Sequence, residues 1–115
     1  MKLHCWNAVP EERLNPRLTR RAFHSPGLTV ARMKLAKGLV VPAHSHANEQ
    51  ITMVERGALK CLVDGREQIV RAGEALYLAP GEKHGVEALE DTECLDVFTP
   101  ARADWIAGDD AYLRS

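Results

Sequence analysis

Nowhere in its 115 residues does the chain carry a run of about 18 apolar residues, and this excludes a membrane-spanning helix. Its opening stretch, MKLHCWNAVPEERLNPRL, holds no apolar segment of signal-peptide length, so a cytoplasmic protein is expected. Cysteine is scarce. Cys5, Cys61 and Cys94 are odd in number, widely spaced and without a CxxC pair, which argues against a disulfide framework or a zinc knuckle and predicts buried free thiols. Neither sign of charge dominates, with 15 Lys+Arg against 16 Asp+Glu, and no basic run could neutralise several phosphates. Nucleic acid is therefore not an expected partner. Aromatic residues make up only 5% of the chain and no internal repeat is visible. What is present is 45% apolar residues, enough for one core in a chain of this length.

After residue 26 the sequence is a series of short alternating or apolar runs punctuated by Gly, Pro and Asp-Gly, which predicts an all-β fold. LTVARMKLA, EQITMVERG, ALKCLVDG, EQIVRAG, EALYLAPG, KHGVEALED and ECLDVFTP follow one another, about seven or eight strands at the spacing of a sandwich or barrel. Asp64-Gly65 is a strong signal for a two-residue hairpin turn. Pro100 through Trp105 predicts a short C-terminal helix. Residues 1–26, broken by Pro10, Pro16 and Pro26, are expected to form an arm suited to packing on a partner subunit, and residues 27–115 a single domain. Exposed sheet edges and such an arm together predict a homodimer.

VPAHSHANEQ, residues 41–50, is the most informative stretch. Side chains of equal parity share a face of a strand, so His44, His46, Gln50, Thr52 and Val54 point one way if the chain stays extended from 42 to 54. His84, after the Pro80-Gly81 turn, is a further candidate. A lone histidine is usually a surface or satisfied core residue; an HxH pair with a third from a turn points to a metal site, because imidazole is the commonest ligand for Zn, Ni, Fe and Cu. Glu49 adjoins Gln50, but parity puts Glu49 on the opposite face, so Gln50 is the expected third-position ligand.

GLVVPAHSHANEQ resembles the first cupin motif, and GEALYLAPGEKH the second, in which a glycine leads through a strand and turn to the fourth ligand. The second departs at Ala79, where the motif has proline, and at Ala88, where it has asparagine; neither is a ligand position. The resemblance implies a double-stranded β-helix, the cupin or jelly-roll barrel, holding a divalent transition metal. Zn or Ni is favoured by ligand type, with Fe or Mn compatible. A neutral amide among three histidines leaves the ion's full charge for an anionic ligand, which suits a small carboxylate or sugar acid.

In ECLDVFTPARADWI, Cys94, Asp96 and Phe98 share a face. Asp is usually a surface residue, but its apolar face-mates suggest a carboxylate turned into the barrel, where it can be tuned as a general acid or base. Arg102 follows at the end of the strand, where a guanidinium could clamp a substrate carboxylate bidentately. Taken in order, HSHANEQ, APGEKHGVEALED and LDVFTPARADWI resemble the small single-domain cupins of pectin degradation, which linearise 4,5-unsaturated uronates released by pectate and alginate lyases. That resemblance implies His44, His46, Gln50 and His84 as metal ligands, with Asp96, Phe98 and Arg102 lining the substrate site; the expected catalytic pair is Asp96, shuttling a proton, and Arg102, holding the substrate carboxylate, with Phe98 packing beside the ring. Two other readings stand beside it: a cupin dioxygenase using Fe(II) on a small organic acid or thiol, and a non-catalytic, metal-dependent binding or sensor module.

Overall fold

The computed structural model describes residues 1–114, which form two facing sheets with every strand pair antiparallel. The larger sheet holds β1 (Glu12–Asn15), β2 (Leu18–His24), β3 (Thr29–Leu35), β5 (Glu49–Arg56), β8 (Ala75–Leu78) and β10 (Thr92–Thr99), in spatial order β1-β2-β3-β10-β5-β8. The smaller holds β4 (Val40–His44), β6 (Ala58–Val63), β7 (Arg66–Arg71) and β9 (His84–Ala88), in the order β4-β9-β6-β7. The run of short strands thus forms the jelly-roll barrel that the resemblance to cupins implied. Two short helices, α1 (Ala103–Ile106) and α2 (Ala111–Arg114), follow the last strand, where a single one was expected.

Period-2 alternation is what buries the core. Along β10, Thr92, Cys94, Asp96 and Phe98 are buried while the intervening side chains are half-exposed, and β3 alternates in the same way beside it. With so few aromatics, the interior is mostly aliphatic: Leu18, Leu35, Val54, Leu59 and Val70 are each at most 5% exposed. Burying such side chains stabilises the fold by about 1.5–3 kcal/mol each. Asp64 and Gly65 close the β6–β7 hairpin with φ of 49° and 76°, the left-handed pair of a type I′ turn.

The N-terminal region differs from the expected arm. Residues 12–24 form a hairpin whose second strand pairs along β3 from Leu18↔Leu35 to His24↔Thr29. Pro16 marks the turn of that hairpin rather than the absence of strands, and Asn15 Oδ1 accepts from the Arg17 backbone N–H at 2.8 Å to fix it. Residues before it lie on the same chain: the His4 ring stacks on Phe23 with centroids 4.2 Å apart, and Arg21 Nη1 donates to Val9 O at 2.6 Å. Cys61 and Cys94 are buried free thiols as expected, but Cys5 is exposed in this segment.

The C-terminal helices fold back onto the barrel. Buried Asp110 accepts from Arg20 Nη2 at 2.8 Å and from Arg114 Nε at 2.8 Å, and this carboxylate ties α2 to β2. Leu113 is buried, and Tyr112 is thereby brought over the end of the barrel where His44 lies.

Candidate metal centre and the buried carboxylate

β4 and β9 supply two of the histidines. His44 is the register partner of His84, and their ring centroids are 4.5 Å apart. The chain does not stay extended from 42 to 54. The β4–β9 register shifts between Val41 and His44, leaving Pro42 and Ala43 exposed and turning His44 back inward, and residues 45–48 leave the strand altogether. His46 lies in that connection, with its ring centroid 5.9 Å from that of His44 and 5.0 Å from that of His84. Ligand atoms of the three imidazoles all lie within 4.8 Å of one another.

Each imidazole is oriented by the same device. Nδ1–H donates to a backbone carbonyl two residues away: His44 to Pro42 O at 2.9 Å, His46 to Asn48 O at 3.0 Å, and His84 to Glu82 O at 2.8 Å. A proton on every Nδ1 leaves a lone pair on every Nε2. Burial lowers all three pKa values, that of His44 to about 4 with the charges of His84, His46 and Arg102 adding to the effect. The rings are therefore neutral near pH 7, the form that binds metal.

Gln50 is buried and its Oε1 stands 3.0 Å from His46 Nε2. Two acceptors that close together could serve as ligands of one divalent ion. The other end of the amide is engaged, with Nε2 donating to Thr52 Oγ1 at 2.9 Å. Glu49 lies on the outer face, where its Oε2 accepts from the Tyr77 hydroxyl at 2.9 Å. The donor set of three neutral imidazoles and one amide oxygen fits a divalent transition metal.

Across the sheet, Asp96 is the register partner of Thr52, and Phe98 that of Gln50. Asp96 is buried, and its Oδ1 accepts from Thr52 Oγ1 at 2.6 Å. Burial pushes its pKa up to about 6, against the hydrogen bonds from Thr52 and Gln50 and the charge of Arg102. Phe98 packs edgewise on His46 with centroids 5.7 Å apart. A cavity of about 80 Å³ lies between the sheets, with His44, Gln50, His84, Asp96 and Arg102 in its wall and Leu35, Leu59 and Cys61 among its apolar lining. Burial, with the charge of Asp96 adding, raises the Cys61 thiol to about 11, so it stays protonated.

Arg102 is present but not free in the manner expected. Its guanidinium, 1% exposed as a residue, stacks 4.7 Å over Phe98 and 4.3 Å over Trp105. Nε and Nη2 donate to the two oxygens of Asp104 at 3.0 and 2.8 Å, and Nη2 also donates to the Tyr112 hydroxyl at 2.8 Å. The fork edge suited to bidentate clamping is occupied, and only Nη1 has no hydrogen-bond partner among the described residues.

Three residues of this site had no expected role. Thr52 shares the parity of His44 and Gln50, and that was the available signal. Asn48, whose carbonyl orients His46 and whose Nδ2 donates to Pro100 O at 2.6 Å, and Tyr112 had none, because a backbone carbonyl leaves no mark in the sequence and their side-chain contacts with Pro100 and the histidine cluster depend on the fold.

A double-sheet antiparallel barrel with histidines converging from β4, the following loop and β9 defines a small metal-competent jelly roll. The chain belongs to the cupin family, with residues 31–98 matching the family described as a cupin domain. It is 32% identical over 101 residues to the pectin degradation protein KdgF of Dickeya dadantii, covering 85% of this chain and 92% of that one. The solved structure of KdgF from a Halomonas species superposes with a TM-score of 0.85 at 27% identity, over 91% of this chain and 98% of that one. The oxalate-binding protein of Thermotoga maritima is 30% identical over 77 residues, which span 66% of this chain and 64% of that protein.

Proposed function

We propose that the protein is a metal-dependent enzyme that converts 4,5-unsaturated uronates to their linear keto forms. The observation that carries this reading is the line that runs from the histidine cluster to Gln50 Oε1, 3.0 Å from His46 Nε2, and on by hydrogen bonds from Gln50 Nε2 through Thr52 to a buried Asp96 whose pKa is raised to about 6. Similarity to KdgF, described as a pectin degradation protein, over most of both chains supports the substrate class.

In this reading His44, His46, Gln50 and His84 hold a divalent ion, with Zn or Ni favoured by the donor set. When bound, such an ion supplies Lewis-acid polarisation of a substrate oxygen and a counter-charge for a carboxylate. Asp96 has a pKa near neutrality, which suits a group that takes a proton from the C1 hydroxyl as the hemiacetal opens and returns one to carbon as the enol becomes a ketone. Atoms balance without an oxidant or an organic cofactor. Arg102 offers the two N–H groups of Nη1 to the substrate carboxylate, held in place by the stack on Phe98 and Trp105. Phe98 packs beside the sugar ring.

The reading includes a cytoplasmic homodimer. Three free thiols fit a reducing compartment, and Ile51 and Tyr77, register partners exposed on the outer face of edge strand β8 and its neighbour β5, suit pairing with a second copy. Light scattering at micromolar concentration tests the dimer.

Binding of a small carboxylate without turnover is the second reading, favoured by the modest cavity and by the similarity to a protein described as oxalate-binding. The deciding experiment follows ultraviolet absorbance of the conjugated double bond in a 4,5-unsaturated galacturonate, with Zn- or Ni-reconstituted protein and with His46→Ala. Metal-dependent loss well above the spontaneous rate is expected. If wild type and variant both match the rate without protein, the uronate reading falls, and calorimetric titration with oxalate tests the second; oxygen uptake by iron-loaded protein tests oxygenase chemistry.

A further inference from the structure

We infer that Thr52 is a positioning residue whose hydroxyl decides which end of the Gln50 amide faces the three histidines. This rests on the metal-site reading above. Thr52 is 5% exposed and sits between two functional side chains, with Oγ1 2.9 Å from Gln50 Nε2 and 2.6 Å from Asp96 Oδ1.

Hydrogen counting sets the direction. A threonine hydroxyl has one proton and two lone pairs. At 2.6 Å from a carboxylate oxygen that proton is committed to Asp96, in a short bond to an acceptor that carries charge when ionised. Only lone pairs then remain for Gln50, so the amide must turn its NH2 toward Thr52, an orientation that Asp96 Oδ1, 3.5 Å from the same Nε2, favours more weakly. Its Oε1 is left 3.0 Å from His46 Nε2, on the side of the histidine cluster.

The alternative is a competitor of the same shape. Rotating the amide by half a turn would place NH2 against the His46 Nε2 lone pair and form a good hydrogen bond, consuming two metal-binding positions at once. Thr52 penalises that state by setting an amide oxygen against its own lone pairs. Side-chain packing alone does not explain the residue, since valine has the same shape and suits a strand equally; what threonine adds is the hydroxyl that joins Asp96 Oδ1 to Gln50 Nε2. The opposite register of Asp96 and Thr52 across β10 and β5 holds the spacing.

Zn²⁺ affinity, measured by competition with a chromophoric chelator, and the absorption spectrum of the Co²⁺-substituted chain are compared for wild type, Thr52→Val and Thr52→Ser. We expect Thr52→Val to bind Zn²⁺ about 10–100-fold more weakly, as for the loss of a partner that orients a ligand. Its Co²⁺ spectrum should change, and the metal-free melting temperature should fall as well, because Asp96 Oδ1 and Gln50 Nε2 lose a buried partner; the metal readouts carry the comparison. Thr52→Ser should restore both metal readouts. Unchanged Zn²⁺ affinity and spectrum in Thr52→Val would overturn the inference, as would a Thr52→Ser variant as defective as the valine. If Thr52→Val does not fold, Thr52→Ala carries the same comparison. A wild type that binds Zn²⁺ yet leaves unsaturated uronates untouched sinks the substrate reading alone; one that binds neither Zn²⁺ nor Co²⁺ sinks the metal site and this inference together.

Discussion

His44 and His84 are register partners on one antiparallel ladder, and their rings meet at 4.5 Å between centroids. Their separation is thus set by backbone hydrogen bonding, while His46 reaches the same place from a loop that is held by Asn48. A site built this way should exist before metal arrives.

Replacing His84 or His46 by Ala should therefore remove most of the bound divalent metal without unfolding the chain. Elemental analysis after dialysis, beside circular dichroism, checks both halves. Chelation of the wild type should lower its melting temperature, because an ion present at 100 times its Kd contributes about 2.7 kcal/mol to the folded state. An unchanged melting temperature with and without chelator would count against a native metal site.

Asp96→Asn should retain metal and lose turnover on the unsaturated uronate by roughly 10²–10⁴-fold, the range for removing a general acid–base group. The substituted amide keeps an oxygen for the Thr52 hydroxyl, so the metal content should match wild type. Full activity in this variant would eliminate the proton-transfer role.

The same substitution has a stability signature. Asp96 binds its proton more tightly folded, with pKa about 6, than unfolded, where the ordinary value is 3.8. Between these values the native state holds more protons, so this group's contribution is full below the unfolded pKa and is lost as pH rises through 6. A shift of this size corresponds to about 3 kcal/mol. Urea denaturation of the metal-free protein at pH 4 and pH 8 should show wild type losing stability relative to Asp96→Asn at the higher pH. His44, with its pKa lowered from 6.5 to about 4, acts in the other direction: its contribution is full above 6.5 and lost as pH falls toward 4, equally in both proteins.

Arg102→Lys should lower kcat/KM by roughly 10–100-fold if Nη1 holds the substrate carboxylate, since hydrogen bonds to charged groups contribute about 1.5–3 kcal/mol. Lysine cannot reproduce the two-point contact with Asp104 or the stack between Phe98 and Trp105, so the melting temperature should fall as well. Tyr112→Phe, which leaves the Asp104 contact and frees one Nη2 hydrogen, separates the two effects: its kcat/KM should change far less than that of Arg102→Lys.

Much of the fold was legible because alternation and turn chemistry are local. The strands from β3 onward, apart from the separate β4, and the Asp64-Gly65 hairpin follow from residues next to one another. β1 and β2 were not legible, since Pro10 and Pro16 argue locally against regular structure and only pairing with β3 rewards it. Parity separated inward Gln50 from outward Glu49, yet the premise of a continuous strand failed. A register shift beyond Val41 and a break over residues 45–48 intervene, and they leave His44 and Gln50 facing the same interior.

By itself, the sequence determined the all-β class, singled out the histidine pair, Gln50 and His84 as candidate donors, and put a carboxylate on the apolar face of the last strand, because each is a matter of composition, spacing or side-chain alternation. Only the tertiary structure decided that Asp96 meets Thr52 and Gln50, and that Arg102 gives its fork edge to Asp104 and Tyr112. Those partnerships depend on cross-strand register and on where α2 docks. Both are settled by packing between segments far apart in the chain, on which the local pattern carries no information.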